Sequence, residues 1–120
     1  MEAIDTRALD QLQELIGGDQ DSLFELINTF LDEGKGIVAD MQRSLVEKDL
    51  ELLRRSAHSL KSSAQDFGAV KLSELCASLE SASKTEWPGP DQSPENSRAQ
   101  IDAIAEHFEI SAVSLRNYIS

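Results

Sequence analysis

The sequence has 120 residues, of which 22 are acidic and 11 are basic, giving a formal net charge of -11. This length suits one ordinary hydrophobic core, so we expect a single domain over residues 1–120. Nucleic acids and anionic membranes bind clustered Lys and Arg, and the acidic excess argues against both as partners. No basic leader precedes an apolar run and no stretch reaches ~18 uninterrupted apolar residues, which predicts a cytoplasmic protein.

The composition does not indicate a metal or nucleotide site. The single cysteine, Cys76, lies among leucines at helical spacing and is interpreted as a small buried core residue. One cysteine and two separated histidines argue against a structural zinc site, which needs about four nitrogen or sulfur ligands. Since no glycine-rich phosphate loop or clustered carboxylate site would let the chain use ATP, no cofactor is predicted for it.

The apolar pattern predicts an all-α fold. Apolar residues recur at spacings of three and four, and the alternating pattern typical of strands is absent. A short first helix is predicted over Thr6 to Ile16. Asp5 is its expected N-cap, and Gly17-Gly18 is expected to end it.

Four longer amphipathic helices follow. The second is predicted from about Asp21 to Glu47, where Gly34 and Gly36 indicate a kink or a close helix contact. The third is predicted from Asp49 to about Phe67, and the fourth from Ala69 to about Lys84.

A loop containing Trp87 and all three prolines then leads to a last helix, for which Ser93-Pro94 are the expected N-cap and first residue. The helices predict an antiparallel four-helix bundle with a short additional N-terminal helix.

The third helix carries the candidate chemistry. On a helical wheel a polar ribbon runs beside its apolar stripe and comprises Arg54, His58, Lys61 and Gln65. We expect His58 to be solvent-accessible, with the small side chain of Ser62 one turn away leaving room for another protein. An exposed imidazole is a nucleophile toward phosphorus, and Lys61 can supply positive charge beside the transferred group. A solvated helix surface would carry the same pattern.

The motifs around His58 resemble those of a known family. The stretch Ala57-His58-Ser59-Leu60-Lys61-Ser62-Ser63-Ala64 is followed by Phe67-Gly68-Ala69 and then by Leu72 to Glu80. This order resembles the signature of histidine-containing phosphotransfer domains, roughly AHxLKGSS, then GA, then LxxxCxxLE. Recognisable motifs cover about residues 4 to 84, and the last helix is similar by architecture only.

The resemblance implies roles for particular residues. In the family the histidine is phosphorylated, the lysine three residues later aids phosphate placement, and the next glycine gives clearance for a receiver domain. Here these positions are His58, Lys61 and Ser62. Serine departs from the usual glycine, and its hydroxyl can either narrow the docking surface or donate a hydrogen bond to the phosphoryl group.

The resemblance also implies the partners. The chain is expected to accept a phosphoryl group from a receiver aspartate of a hybrid sensor kinase and to pass it to a response-regulator aspartate. The receiver would supply the acidic pocket, a magnesium ion and the aspartate, so the chain would be a carrier and not an enzyme. Docking is expected to involve Gly36, Arg54, Arg55, Ser59, Ser62 and Gln65.

Other interpretations stay open at this point. We expect a monomer, and Met1 with the compact length favours a free-standing protein. The main alternative is a helical interaction or scaffold module without phosphotransfer, against which the retention of His58 and Lys61 argues. A hydrolase or metal enzyme using His58 as a base is disfavoured because no Asp or second His would orient it on the same helix face.

Overall fold

The structure is a computed structural model that describes residues 3–82 and 94–119, without the side chains of residues 94–97. This part of the chain forms five α-helices and contains no strand, which confirms the all-α prediction. The helices are α1 (Thr6–Leu15), α2 (Gln20–Glu47), α3 (Leu50–Asp66), α4 (Val70–Ala82) and α5 (Pro94–Ile119). The predicted loop with Trp87 and the predicted N-cap Ser93 lie outside the described residues.

Short polar residues set the helix boundaries. Asp5, Asp19 and Asp49 precede α1, α2 and α3, and each carboxylate accepts a hydrogen bond from a backbone N–H of the first turn. The prediction of Asp5 as an N-cap is confirmed. Lys48 adopts the left-handed conformation at φ 56°, which ends α2 and lets α3 begin two residues later.

The turn between α3 and α4 requires glycine. Gly68 has φ +76°, and a Cβ there would overlap the backbone oxygen of Asp5. The same close approach allows the Asp5 N–H to donate to the Gly68 carbonyl at 2.8 Å. The N-terminal segment is thereby fixed to the turn that joins α3 to α4.

Helices α2 to α5 form an antiparallel bundle. In the described residues α3 packs against α2 and α4, and α5 packs against the same two helices, whereas α3 and α5 do not pack together. These two helices therefore lie on a diagonal of the bundle. Helix α1 packs against α2 and α3 as the short additional helix. None of the described helices combines the length and apolarity needed to cross a membrane, and the cytoplasmic location stays a prediction.

Packing in the core explains why one of the two glycines of α2 has no room for a side chain. Phe30 stacks on Phe67 with ring centroids 4.7 Å apart and meets the Phe108 ring edge-on at 5.9 Å. Gly34 is buried directly against the Phe108 ring, where a Cβ would overlap ring atoms. The close helix contact predicted here is therefore an α2–α5 contact, and α2 continues through it. Gly36, by contrast, is exposed with open space beside it.

Cys76 is confirmed as a buried residue of the core. Its side chain on α4 is fully buried and the thiol is free. Burial raises the pKa of Cys76 to about 12, and the nearby charge of Glu80 acts in the same direction. The thiol therefore stays protonated at neutral pH and serves as a small apolar group.

Alanine substitutions at the two glycines of α2 should have opposite effects. Gly36→Ala should raise the free energy of unfolding by about 1 kcal/mol, because alanine has the higher helix propensity and meets no neighbour. Gly34→Ala should make the protein about 2 kcal/mol less stable than Gly36→Ala, because the methyl group displaces the Phe108 ring. Urea unfolding of both variants measures the difference, and equal stabilisation by both would contradict this packing.

Candidate functional site

His58 lies near the middle of α3 on the outer surface of the bundle. The inner face of α3 is buried and comprises Leu53, Ala57, Leu60 and Ala64. The imidazole projects away from this face, and its side chain is 61% exposed. The predicted accessibility of His58 is confirmed.

A carboxylate from the neighbouring helix joins His58 to Lys61. Glu80 on α4 places Oε2 at 2.8 Å from Nδ1 of His58 and Oε1 at 2.6 Å from Nζ of Lys61. The Glu80 side chain is only 17% exposed and that of Lys61 is 29% exposed. One carboxylate thus bridges the two residues that the sequence analysis singled out.

The contact with Glu80 determines the tautomer of a neutral His58. An ionised carboxylate can only accept hydrogen bonds, so Nδ1 of His58 must carry the hydrogen that it donates to Oε2. A neutral imidazole with its proton on Nδ1 has its lone pair on Nε2. Nε2 is therefore the free nucleophilic atom of an exposed side chain.

Glu80 is ionised at neutral pH. The hydrogen bond from Lys61 is the largest cause that lowers the pKa of the Glu80 carboxyl below its usual 4.5, and the bond from His58 adds to it. Partial burial opposes both effects without reversing them. The carboxylate is therefore present to hold both neighbours throughout the neutral range.

Packing between α3 and α4 fixes the distance between the two helices at the site. Leu72, Cys76 and Leu79 on α4 are buried in the core, which places Glu80 at the edge of the α3–α4 contact. Ser73 Oγ donates a hydrogen bond of 3.2 Å to the backbone carbonyl of Lys61. Apolar burial and this polar contact therefore hold Glu80 in register with α3.

Five of the six residues proposed for docking lie on α3 within two turns of His58. Ser59, Ser62, Gln65 and Arg55 are exposed on α3, and Arg54 is half-buried. By helical spacing, Arg54 and Ser62 each lie one turn from His58, on opposite sides of it along α3. Gly36 precedes the turn between α2 and α3 by about as many residues as Lys61 follows it. Because the two helices are antiparallel, the two residues lie at about the same height along the bundle axis. Their role in docking stays a prediction.

No three metal-ligating side chains come together in the described part of the chain.

A family comparison decides the class of this protein. The model of the Hpt domain matches residues 25–110, which is well over half of the chain and includes His58, Lys61 and Glu80. The chain belongs to the Hpt domain family. The recognition of histidine-containing phosphotransfer domains in the sequence is thereby confirmed.

This Hpt chain is similar to known phosphotransfer and phosphorelay proteins. The crystal structure of histidine-containing phosphotransfer protein B (HptB) from Pseudomonas aeruginosa PAO1 superposes with a TM-score of 0.83 at 25% identity, covering 98% of this chain and 94% of that one. Multistep phosphorelay regulator 1 of Schizosaccharomyces pombe (strain 972 / ATCC 24843) is 28% identical over 78 residues, or 64% of this chain. The match spans only 26% of that relative's length.

Glu80 is the site residue that sequence reasoning missed. A helical wheel compares His58 only with residues of α3, whereas the structure brings Glu80 to it from α4, 22 residues later. A signal was present, because Glu80 is the last residue of the LxxxCxxLE stretch. Its buried neighbours at helical spacing also predict that the side chain lies beside α3, but not which residues it meets.

The tautomer of His58 should depend on Glu80. In Glu80→Ala the fraction of neutral imidazole with its proton on Nδ1 should fall, because the acceptor is removed. Glu80→Gln should retain more of it, since the amide oxygen can still accept. Nitrogen-15 NMR of the imidazoles measures the ratio, with His107 as the internal control that should not change. An unchanged tautomer in Glu80→Ala would contradict the assignment.

The Lys61–Glu80 pair should stabilise the fold in a pH-dependent way. Since folding lowers the pKa of Glu80, its contribution is complete above 4.5 and disappears as the pH falls through the folded value. In a His58→Ala background, which removes the second partner, Glu80→Gln should cost about 1 kcal/mol at pH 7 and nothing near pH 2. Urea unfolding across this range tests the sign, and a difference that grows in acid would contradict it.

Proposed function

We propose that this Hpt chain carries a phosphoryl group on Nε2 of His58 between receiver domains of a two-component phosphorelay. The observation that carries the proposal is the pairing of an exposed Nε2 with an Nδ1 that Glu80 holds. A carrier needs a nucleophile that a second protein can reach and that keeps one orientation. The exposed imidazole and the partly buried carboxylate of Glu80 meet these two needs.

The proposed phosphoryl transfer needs no base to remove a proton from His58. The Nε2 lone pair attacks the phosphorus of an aspartyl phosphate, the N–P bond forms, and the O–P bond breaks with its electron pair going to the leaving carboxylate. Nδ1 keeps its proton, so positive charge develops on the ring beside Glu80. The ionised carboxylate stabilises that charge. Transfer to a second aspartate reverses each bond change.

Lys61 is the cation proposed to position the phosphoryl group. It lies one turn from His58 on α3 and donates a hydrogen bond to the same Glu80 carboxylate. Its ammonium group is therefore already near the imidazole ring. A phosphoryl group on Nε2 would offer it additional anionic oxygens. Lys61 would then stabilise the charge of the group without forming a covalent bond.

The partner is proposed to supply the rest of the chemistry. Receiver domains would provide the acidic pocket, its magnesium ion and the aspartate, as the family resemblance implies. The upstream partner would be the receiver of a hybrid sensor kinase, and the downstream partner a response regulator. Both would dock on the exposed surface of α2 and α3 around His58 while this chain acts as a monomeric carrier. Its proposed contact residues are Gly36, Arg54, Arg55, Ser59, Ser62 and Gln65.

Labelling from phosphorylated receiver domains should place the phosphoryl group on His58. Wild type should acquire an acid-labile, alkali-stable label, and His58→Ala should acquire none because the nucleophile is gone. Lys61→Ala should slow the transfer by up to about 100-fold, as expected for a removed charge-stabilising group.

His107→Ala is the matched control, because this second histidine is on α5, diagonal to α3 in the bundle. It should be labelled at the wild-type rate. Absence of label on the wild type from every receiver tested, or undiminished label on His58→Ala, would overturn the proposal.

A further inference from the structure

The charges of α3 differ in sign from those of the chain as a whole. From Leu52 to Gln65 the helix has no carboxylate, and its cations are Arg54, Arg55 and Lys61. The chain carries a net charge of -11, so this stretch is a basic patch along α3 of an acidic protein, with the Glu80 carboxylate of α4 beside it. His58 lies inside that patch.

Two of these cations have no counter-ion in the described residues. The charge of Lys61 is matched by Glu80 at 2.6 Å. Among the side chains that the structure describes, neither Arg54 nor Arg55 forms an ion pair, although Glu51 lies within a turn of both on the same helix. Arg43 on α2 shows the contrasting case, since two carboxylates on its own helix pair with it.

We infer that Arg54 and Arg55 select receiver domains whose rim beside the accepting aspartate carries Asp or Glu side chains. This rests on the proposed function and names the chemistry of its partner. Both arginines lie within one turn of His58, so a protein that places an aspartyl phosphate at Nε2 must also face them. An acidic rim gains two counter-charges there, whereas a basic rim meets repulsion.

The negative charge on the rest of the protein surface adds to this preference for receivers with acidic rims. An acidic receiver is repelled by the many carboxylates elsewhere on the chain, so its favourable approach is through the patch on α3. A basic receiver is attracted to those other faces and repelled at His58. The arginines therefore act on the rate and orientation of encounter, and the effect should weaken when salt shortens the Debye length below about 10 Å.

The test uses a panel of purified, phosphorylated receiver domains that differ in the charge of the rim around the accepting aspartate. Second-order rates of transfer to the wild type should be higher for acidic rims. Arg54→Gln/Arg55→Gln should lower the rate for acidic rims by about tenfold at low salt, and by less than about twofold at 0.5 M salt.

The matched control is Arg98→Gln/Arg116→Gln, which makes the same change in net charge on α5, diagonal to α3. It should leave the rates within about twofold of wild type, whereas an equal loss in both double variants would overturn the inference. Thermal unfolding of the Arg54→Gln/Arg55→Gln protein verifies that it is folded.

The outcomes separate this inference from the proposed function. Phosphoramidate is a small donor that needs no docking, and the difference in its labelling of the wild type and of His58→Ala reports whether His58 accepts a phosphoryl group. If receivers label His58 but the rates do not follow rim charge, or favour basic rims, the selection is overturned and phosphotransfer stands. If no receiver labels His58, both are overturned, and label from phosphoramidate then shows only that the imidazole is reactive.

Discussion

The carboxylate of Glu80 lies between the imidazole of His58 and the ammonium of Lys61, and it comes from a different helix from both. The arrangement needs α3 and α4 to pack at a fixed distance and register. Buried leucines and Cys76 supply the packing, and Ser73 supplies a polar contact beside Lys61. The glycine turn at Gly68 lets the two helices lie side by side. The geometry of the site is thus a consequence of the core beneath it.

Under the proposed function, the work of phosphoryl transfer is divided between the chain and its partners. The proposed site consists of one exposed imidazole, one cation and a carboxylate that is only 17% exposed. Exposure of His58 is what gives a second protein access to it. A carrier that opens its reactive atom to solvent depends on that second protein for the selectivity and speed of the reaction.

Local rules were sufficient for most of the fold. The spacing of apolar residues predicted the helices, and short polar residues at their ends predicted the Asp5 cap. His58 and Lys61 were identified because helical spacing and the family motif are both local signals. Glu80 was not given a role, since its partners lie 19 and 22 residues away and depend on how two helices pack. For the same reason Gly34 indicated a close contact without indicating that Phe108 makes it.

The atom that carries the phosphoryl group is the most direct test of this account. The wild-type chain would be phosphorylated with a receiver domain and studied by NMR that detects coupling between phosphorus-31 and the imidazole nitrogen-15 nuclei. A covalent bond from phosphorus to Nε2 of His58 is expected, with Nδ1 still protonated and hydrogen-bonded to Glu80. A bond to Nδ1, or to any residue other than His58, would contradict it.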